Sequence, residues 1–269
     1  MTAAARNIGD HLREWRRIRR MSQLDLALEA EISARHLSFL ETGRARPSRE
    51  MVLRLSEQLD MPMRERNLML AAAGFAPLFG ERSLDDPAMA GARRAIDLIL
   101  AGHEPWPALA VDRHWNLIAA NRGVAPLLVG VDPVLLDKPN VLRLALHPQG
   151  LAPRIVNLAE WRHHLIARLK RQAQAANDAA LDALVAELEA YPAPPASDAR
   201  PEDLGGIAVP LRLLAGDRIL SFLSTTTVFG TAQDVTLSEL TLETFFPADE
   251  ATAETVRESL LPETGSLSP

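Results

Sequence analysis

The run Ser22 to Pro47, SQLDLALEAEISARHLSFLETGRARP, decides the fold of the first part of this chain. Ser22 is placed to cap a helix, because its hydroxyl can accept from an unpaired amide of the first turn, and Gln23 opens the helix behind it. Leu24, Ala27 and Leu28 then fall on one face. The pattern breaks at Ala30-Glu31-Ile32, and Ser33 caps a second helix, Ala34 to Glu41, in which Leu37 and Leu40 give apolar spacing. Thr42-Gly43 ends it, since glycine adopts the left-handed conformation that closes helices. Two short helices joined by a tight turn, the second polar on its outer face, describe a helix-turn-helix whose second helix enters the major groove of DNA.

Working outward, Ile8 to Ile18 reads as a helix with Ile8, Leu12 and Trp15 on its buried face. Ser48 caps a fourth helix carrying Met51, Val52, Leu55 and Leu59, and a fifth, Met63 to Ala73, stops at Gly74. An all-α five-helix domain is therefore expected over residues 1–80. Ser22-Gln23, Ile32-Ser33, Leu37-Ser38, Glu41-x-Gly43 and Pro47 stand where the XRE-type regulators, relatives of the phage repressors, carry their characteristic residues. The segment resembles that family, which implies a lambda-repressor-like head that binds an operator.

The resemblance implies that Ser33, Ala34, Arg35 and Phe39 face bases, with His36 and Ser38 beside them. Arg35 is the expected reader, because its planar fork bonds guanine O6 and N7 together. Ala34 and Phe39 depart from the amide residues common in the family, so readout is expected to lean on thymine methyl groups. Gln23, Thr42, Arg44 and Arg46 are expected at phosphates, with Arg19 and Arg20 as further candidates; such contacts fix register without reading sequence. Glu41 would repel phosphate, and the family implies that it pairs with Arg16 inside the head. An ordinary solvated helix face would carry the same residue types.

The charge distribution agrees with a DNA-binding head. Net charge is −6, yet residues 1–80 hold 13 Arg and no Lys against 10 acidic residues, a balance of +3 that leaves −9 for the rest. Hydrophobic residues at 47% and charged residues at 24% are ordinary for a soluble globular chain. Cysteine is absent, which excludes disulfides and thiolate metal sites. The most apolar run, Leu68 to Gly80, contains Pro77 and is too short to span a bilayer, and no secretory-type segment follows Arg6, so a cytoplasmic location is expected.

Residues 81–107 read as a linker plus one helix, Met89 to Leu100. Ala108 to Val111 and Trp115 to Ala119 then form a hairpin around Asp112-Arg113-His114. Short helices are expected at Val124 to Leu128 and Pro133 to Asp137, followed by a loop carrying His147. Asn157 caps a long helix to Ala176 with Leu158, Trp161, Leu165 and Leu169 in one stripe, and Asp178 caps another that ends at Tyr191-Pro192. After a Pro/Ala-rich loop from Pro192 to Pro201, strands are expected from Ile207 to Leu213, from Leu220 to Val228, and from Val235 to Phe246 with a bulge near Ser238-Glu239. The domain is expected to close near residue 255, with residues 256–269 as a tail that looks disordered from Thr264.

Two strands, then helices, then three strands predict an α+β PAS-like domain with a five-stranded antiparallel sheet over residues 108–255. The segments EPWPALAVDRHWNLIAAN (104–121), NVLRLALHPQGLAPRIVNLAEWRHHLIARL (140–169) and LSFLSTTTVFGTAQDVTLSELTLETFFPAD (220–249) resemble the MmyB-like ligand-binding domain. In that family an XRE head is joined to a PAS-like domain thought to bind a fatty acid. The resemblance thus implies a fatty acid or other small apolar ligand and no other cofactor.

A pocket for such a ligand needs apolar walls and a cation or donor cluster at its mouth. Trp115, Leu117, Trp161, Leu165, Phe222 and Phe229 are candidate walls and are equally suited to simple core. His147, Arg154 and Arg162 could hold a carboxylate, or pair with acidic residues inside the domain; spacing does not decide between these. Glu160 and His163 have the spacing of an iron ligand pair, but the second copy of that motif that such sites need is absent from the sequence. HExxH, GxSxG and phosphate-cradling glycine loops are absent too, so neither a metal nor an enzyme is expected. The sequence therefore predicts a transcription regulator that acts as a homodimer on paired half-sites. The alternative is a regulator whose second domain serves only dimerisation or protein interaction.

Overall fold

Asn7 caps the first helix of the computed structural model, which describes residues 7–192 and 209–259. Its Oδ1 accepts from Asp10 N at 3.0 Å, and α1 (Ile8–Ile18) follows. Ser22, Ser33 and Ser48 each accept from the backbone N–H three residues on, so α2 (Gln23–Glu29), α3 (Ala34–Glu41) and α4 (Arg49–Gln58) begin where the sequence predicts. At α2 the cap is reciprocal, with Ser22 N donating to Asp25 at 2.8 Å, and hydrogen bonding to Ser22 holds the Asp25 carboxyl below its usual range. α5 (Met63–Ala72) closes before Gly74, which takes a φ of 86°.

Leu12, Trp15, Leu37, Leu40, Leu55 and Leu59 are fully buried where these helices meet, each burial stabilising by roughly 2 kcal/mol. One expectation is corrected here. Leu24 and Leu28 are 68% and 77% exposed, and the buried side of α2 is Leu26, Ala27 and Ala30. In so short a helix two apolar stripes fit the same letters, and packing against α3 and α4 selects the second. Gly9 decides how α1 meets α3: a β-carbon there would stand 2.2 Å from the carbonyl oxygen of Glu41.

The second unit begins at Ser83, and α6 (Ala90–Gly102) is the helix expected from Met89 to Leu100. Its Ile96 and Leu100 pack with Ala108, Ala110, Leu240 and Leu242, because they form an apolar stripe that the sheet can cover. β1 (Ala108–Val111) and β2 (Leu117–Ala120) follow. Asn121 ties α6 to β1, accepting from Ala108 N at 3.0 Å and donating to Leu100 O at 3.1 Å. Trp115, expected inside the second strand, sits in the turn at φ 68°, since Asp112 Oδ1 accepts from both His114 N and Asn116 N at 2.8 and 2.9 Å.

A 3₁₀ turn over Ala125–Leu128 and α7 (Pro133–Leu136) precede α8 (Val141–Leu146), which the sequence reading had as loop. Asn140 starts α8 by accepting from Arg143 N at 3.2 Å. α9 (Leu158–Ala176) and α10 (Ala179–Ala190) follow as predicted. Next come β3 (Leu211–Ala215), β4 (Arg218–Val228), α11 (Val235–Ser238), β5 (Thr241–Pro247) and α12 (Glu250–Ser259).

The expected strand and bulge at Val235–Glu239 are thus a helical turn: Asp234 accepts from Thr236 N at 3.0 Å and Ser238 N donates to Asp234 O at 3.0 Å, closing the backbone locally. α12 runs past the expected boundary at residue 255, and its Thr252 hydroxyl accepts from Ser221 N at 3.0 Å. Ile207, most of the Pro192–Pro201 loop and the tail from Thr264 lie outside the described residues. The sheet is antiparallel throughout, in the order β2-β1-β5-β4-β3. By Cα proximity, residues 172–178 and 231–238 group with the head rather than with this unit. No helix among the described residues is long and apolar enough to cross a membrane.

Candidate functional site

The outer side of α3 carries Arg35, exposed, with its guanidinium 5.3 Å from the centroid of the Phe39 ring one turn later. That contact lays the arginine along the helix, where it stays exposed. Ser33 is exposed, but its hydroxyl accepts from His36 N at 3.1 Å. Ala34, His36, Ser38 and Phe39 are half-buried, and Leu37 and Leu40 hold the helix from behind. Thr42, expected at phosphate, donates its hydroxyl to Ser38 O at 2.7 Å, whereas Arg44 and Arg46 are exposed in the loop that follows.

Glu41 is the sole acidic residue of α3, and the fold removes its charge from the surface. It is 2% exposed, accepts from Arg16 Nε at 2.8 Å and from Arg16 Nη2 at 3.2 Å, and is also bonded by Gln23 Nε2 at 2.7 Å. Gln23, expected to touch phosphate, is therefore engaged inside the head. Arg19 likewise donates to Leu59 O at 2.8 Å and Asp60 O at 2.6 Å, closing α4. Arg20 is exposed. What remains outward on α3 and in the loop from Thr42 to Ser48 is cationic and neutral, as a surface meeting phosphates requires.

In the second unit an apolar cavity of about 90 Å³ is several times the roughly 10–15 Å³ that one water needs. Its walls come from the hairpin turn, α8, α9 and the sheet. Trp115, Leu117, Trp161 and Leu165, singled out from sequence, all line it. Phe222 and Phe229 do not. Phe222 is fully buried, edge-on to the wall residue Phe245 at 6.5 Å, and Phe229 packs toward α6 and β1.

The expected carboxylate holders lie elsewhere, because backbone groups take their polar atoms. Arg154 donates to Leu127 O at 2.9 Å, Leu214 O at 3.2 Å and Val129 O, and burial lowers its pKa. Arg162 donates to Leu188 O at 3.1 Å and Glu189 O at 2.8 Å, closing the end of α10. His147 sits edge-on to Tyr191 at 5.1 Å, and its Nδ1 accepts from Gln149 N at 3.1 Å.

The polar part of the wall is a group the sequence reading missed: Arg168, Ser224 and Glu243. Arg168 Nη2 reaches Glu243 Oε1 at 2.6 Å and Nη1 reaches Oε2 at 3.3 Å, while the guanidinium carbon lies 4.7 Å from the centroid of the Trp115 ring. Thr226 bridges the pair, accepting from Arg168 at 2.9 Å and donating to Glu243 at 3.1 Å. The register of β4 on β5 sets this up, pairing Thr226 with Glu243 and Ser224 with Phe245. A signal was available, since Arg168 continues the helical stripe of Trp161 and Leu165 at the next turn. Beside the wall, His164 stacks on Trp161 at 5.7 Å, and burial, followed by the Arg168 and Arg171 charges, pushes its pKa down.

Comparison with protein families bears on both sites. The description "MmyB-like transcription regulator ligand binding domain" matches residues 92–258, and a helix-turn-helix model matches residues 12–66. The chain belongs to the MmyB-like regulators. This MmyB-like protein is accordingly a helix-turn-helix transcription regulator joined to a ligand-binding domain, and its cavity lies within the matched segment. No match to an individual curated protein accompanies the two family matches. No group of three His, Cys, Asp or Glu residues that could hold a metal ion comes together among the described residues, and Glu160 accepts from Asn157 at 3.1 Å.

Proposed function

We propose that this MmyB-like regulator binds its operator as a homodimer and that a small apolar ligand of the fatty-acid kind, held in the cavity, sets operator affinity. The observation that carries this reading is the cavity itself: an apolar space with a single polar corner, walled by Trp115, Leu117, Leu144, Trp161 and Leu165. A strand order of 2-1-5-4-3 with helices packed against the sheet supports describing the domain as PAS-like. Arg35 reads bases, while Arg44 and Arg46 grip phosphate. One helix-turn-helix covers few base pairs, so two copies on a two-fold site provide the needed specificity. Ligand changes operator affinity only to the extent that the DNA-competent and incompetent states bind it differently.

Native mass spectrometry of the full chain tests the reading. A fatty-acyl compound should co-purify with the native protein and be absent from Ala145→Phe, in which a ring fills the cavity from α8. A native protein that arrives empty and takes up no lipid would favour a domain built for dimerisation alone.

A further inference from the structure

α6 turns Ile96 and Leu100 into the sheet, and its opposite side stays bare. Leu98 there is 73% exposed and Ile99 40%. With about 3.6 residues to a turn, Gly91, Ala95, Leu98 and Gly102 fall on one stripe that points away from the buried pair. Arg94 and Asp97 flank this stripe on one side, both exposed, and neither is engaged in an ion pair among the described residues. Ile99 flanks it on the other. From Ile99 the apolar surface continues onto the sheet, where Phe246, 43% exposed, meets His103 of the next turn edge-on at 4.7 Å. A contiguous apolar face of this kind marks a contact surface.

Charge and shape both fit a second copy of the same chain. The face carries one cation and one anion on the same flank, so it complements itself better than it complements a partner of either sign. In an antiparallel pair centred between Ile96 and Asp97, Gly91 stands against Gly102 of the second copy and Ala95 against Leu98. The large leucine then enters the space beside the small alanine, as a knob enters a hole. The glycines at the ends let the backbones approach, and a β-carbon at Gly102 would meet nothing within 4 Å in the chain by itself. A two-fold axis brings like flank to like flank. Arg94 therefore reaches Asp97 of the second copy, twice over, and Ile99 lies beside its own counterpart.

We infer that two copies of the chain pair through α6, antiparallel about a two-fold axis at the level of Ile96 and Asp97, with Leu98 at the centre. This rests on the homodimer proposed above and gives it an interface.

Analytical ultracentrifugation of the full chain tests it. The native chain should sediment as a dimer, and Leu98→Glu should raise the dissociation constant at least about ten-fold. Arg94→Asp sets like charges against each other and should weaken the dimer several-fold, whereas Arg94→Asp combined with Asp97→Arg faces opposite signs again and should recover most of the loss. A native chain that stays monomeric at every concentration would remove the homodimer and the inference together, and would leave the face to a different partner. A native dimer unmoved by Leu98→Glu would overturn the α6 interface and leave the homodimer standing. A double variant no tighter than Arg94→Asp alone would overturn the antiparallel pairing. The charge exchange decides the matter even if Leu98→Glu fails to fold.

Discussion

Gln23 Nε2 donates to Glu41 Oε2 at 2.7 Å, so the residue that opens the first helix of the helix-turn-helix is bonded to the last residue of the second. Arg16 completes the carboxylate's shell from α1. Three helices thus converge on one buried charge, and the angle at which α3 is presented follows from it. Glu41→Ala would leave Arg16 unpaired in a site where its side chain is 15% exposed, and we expect a loss of about 3 kcal/mol in urea unfolding of the head. Gln23→Ala should cost only about 1 kcal/mol. A fall in DNA affinity at unchanged stability for Gln23→Ala would return that residue to the phosphate backbone.

Gly9 is a second determinant of that geometry. With Glu41 O only 2.2 Å from where a β-carbon would stand, Gly9→Ala must push α1 off α3. The expected cost is about 2–3 kcal/mol, and thermal unfolding measures it.

Base reading and phosphate contact separate by their specificity. Arg35→Ala should weaken binding to a selected operator by about 1–3 kcal/mol and leave random duplex nearly unaffected. Arg46→Ala should weaken both alike and reduce the salt slope by about one. Anisotropy titrations at two salt concentrations distinguish them, and equal losses on both duplexes for Arg35→Ala would remove it from the readers.

His164 gives the second domain a sign-specific response to acid. Its folded pKa lies below the unfolded 6.5, chiefly through burial and then through Arg168 and Arg171. The neutral imidazole is the form the fold favours, so its contribution is present above pH 6.5 and is lost as pH falls toward the folded value. Denaturation midpoints should fall from about pH 7.5 to about pH 5.5 less steeply in His164→Gln than in the native chain.

Tyr191 is the single tyrosine of the sequence, which makes its titration readable by absorbance. Burial and the hydrogen bond it donates to Glu187 at 2.6 Å push its pKa up to about 12. Arg143 holds the same carboxylate through two bonds of 2.8 Å each, and Glu187 titrates below the usual range for that reason first. Phenolate should therefore appear only well above pH 10, the group's ordinary value, and Glu187→Gln should bring its onset down. An onset near the ordinary value in the native protein would contradict the bond.

The head was legible because its signals are local. Serine caps, Gly43 and Gly74 lie beside the helix ends they fix, and capping needs only neighbouring residues. Leu24 and Leu28 were misread for the opposite reason: which stripe of a seven-residue helix is buried depends on the helices packed against it. The same holds for Val235–Ser238, where alternation alone suggested a strand and Asp234 capping made a turn.

At the cavity, Trp115, Leu117, Trp161 and Leu165 were within reach because large apolar residues on regular stripes announce themselves. Arg154 and Arg162 were named as ligand holders for their charge, yet carbonyls of Leu127 and Leu188 hold them, and no local pattern reveals such partners.

The sequence by itself determined the two-part plan, the position of the recognition helix with Arg35 on it, and the strand-helix-strand order of the second part. Only the tertiary structure decided which charges are cancelled. Glu41 meets Arg16 across 25 residues and Glu243 meets Arg168 across 75, and whether a charge is free or neutralised depends on distances of a few ångströms between segments far apart along the chain.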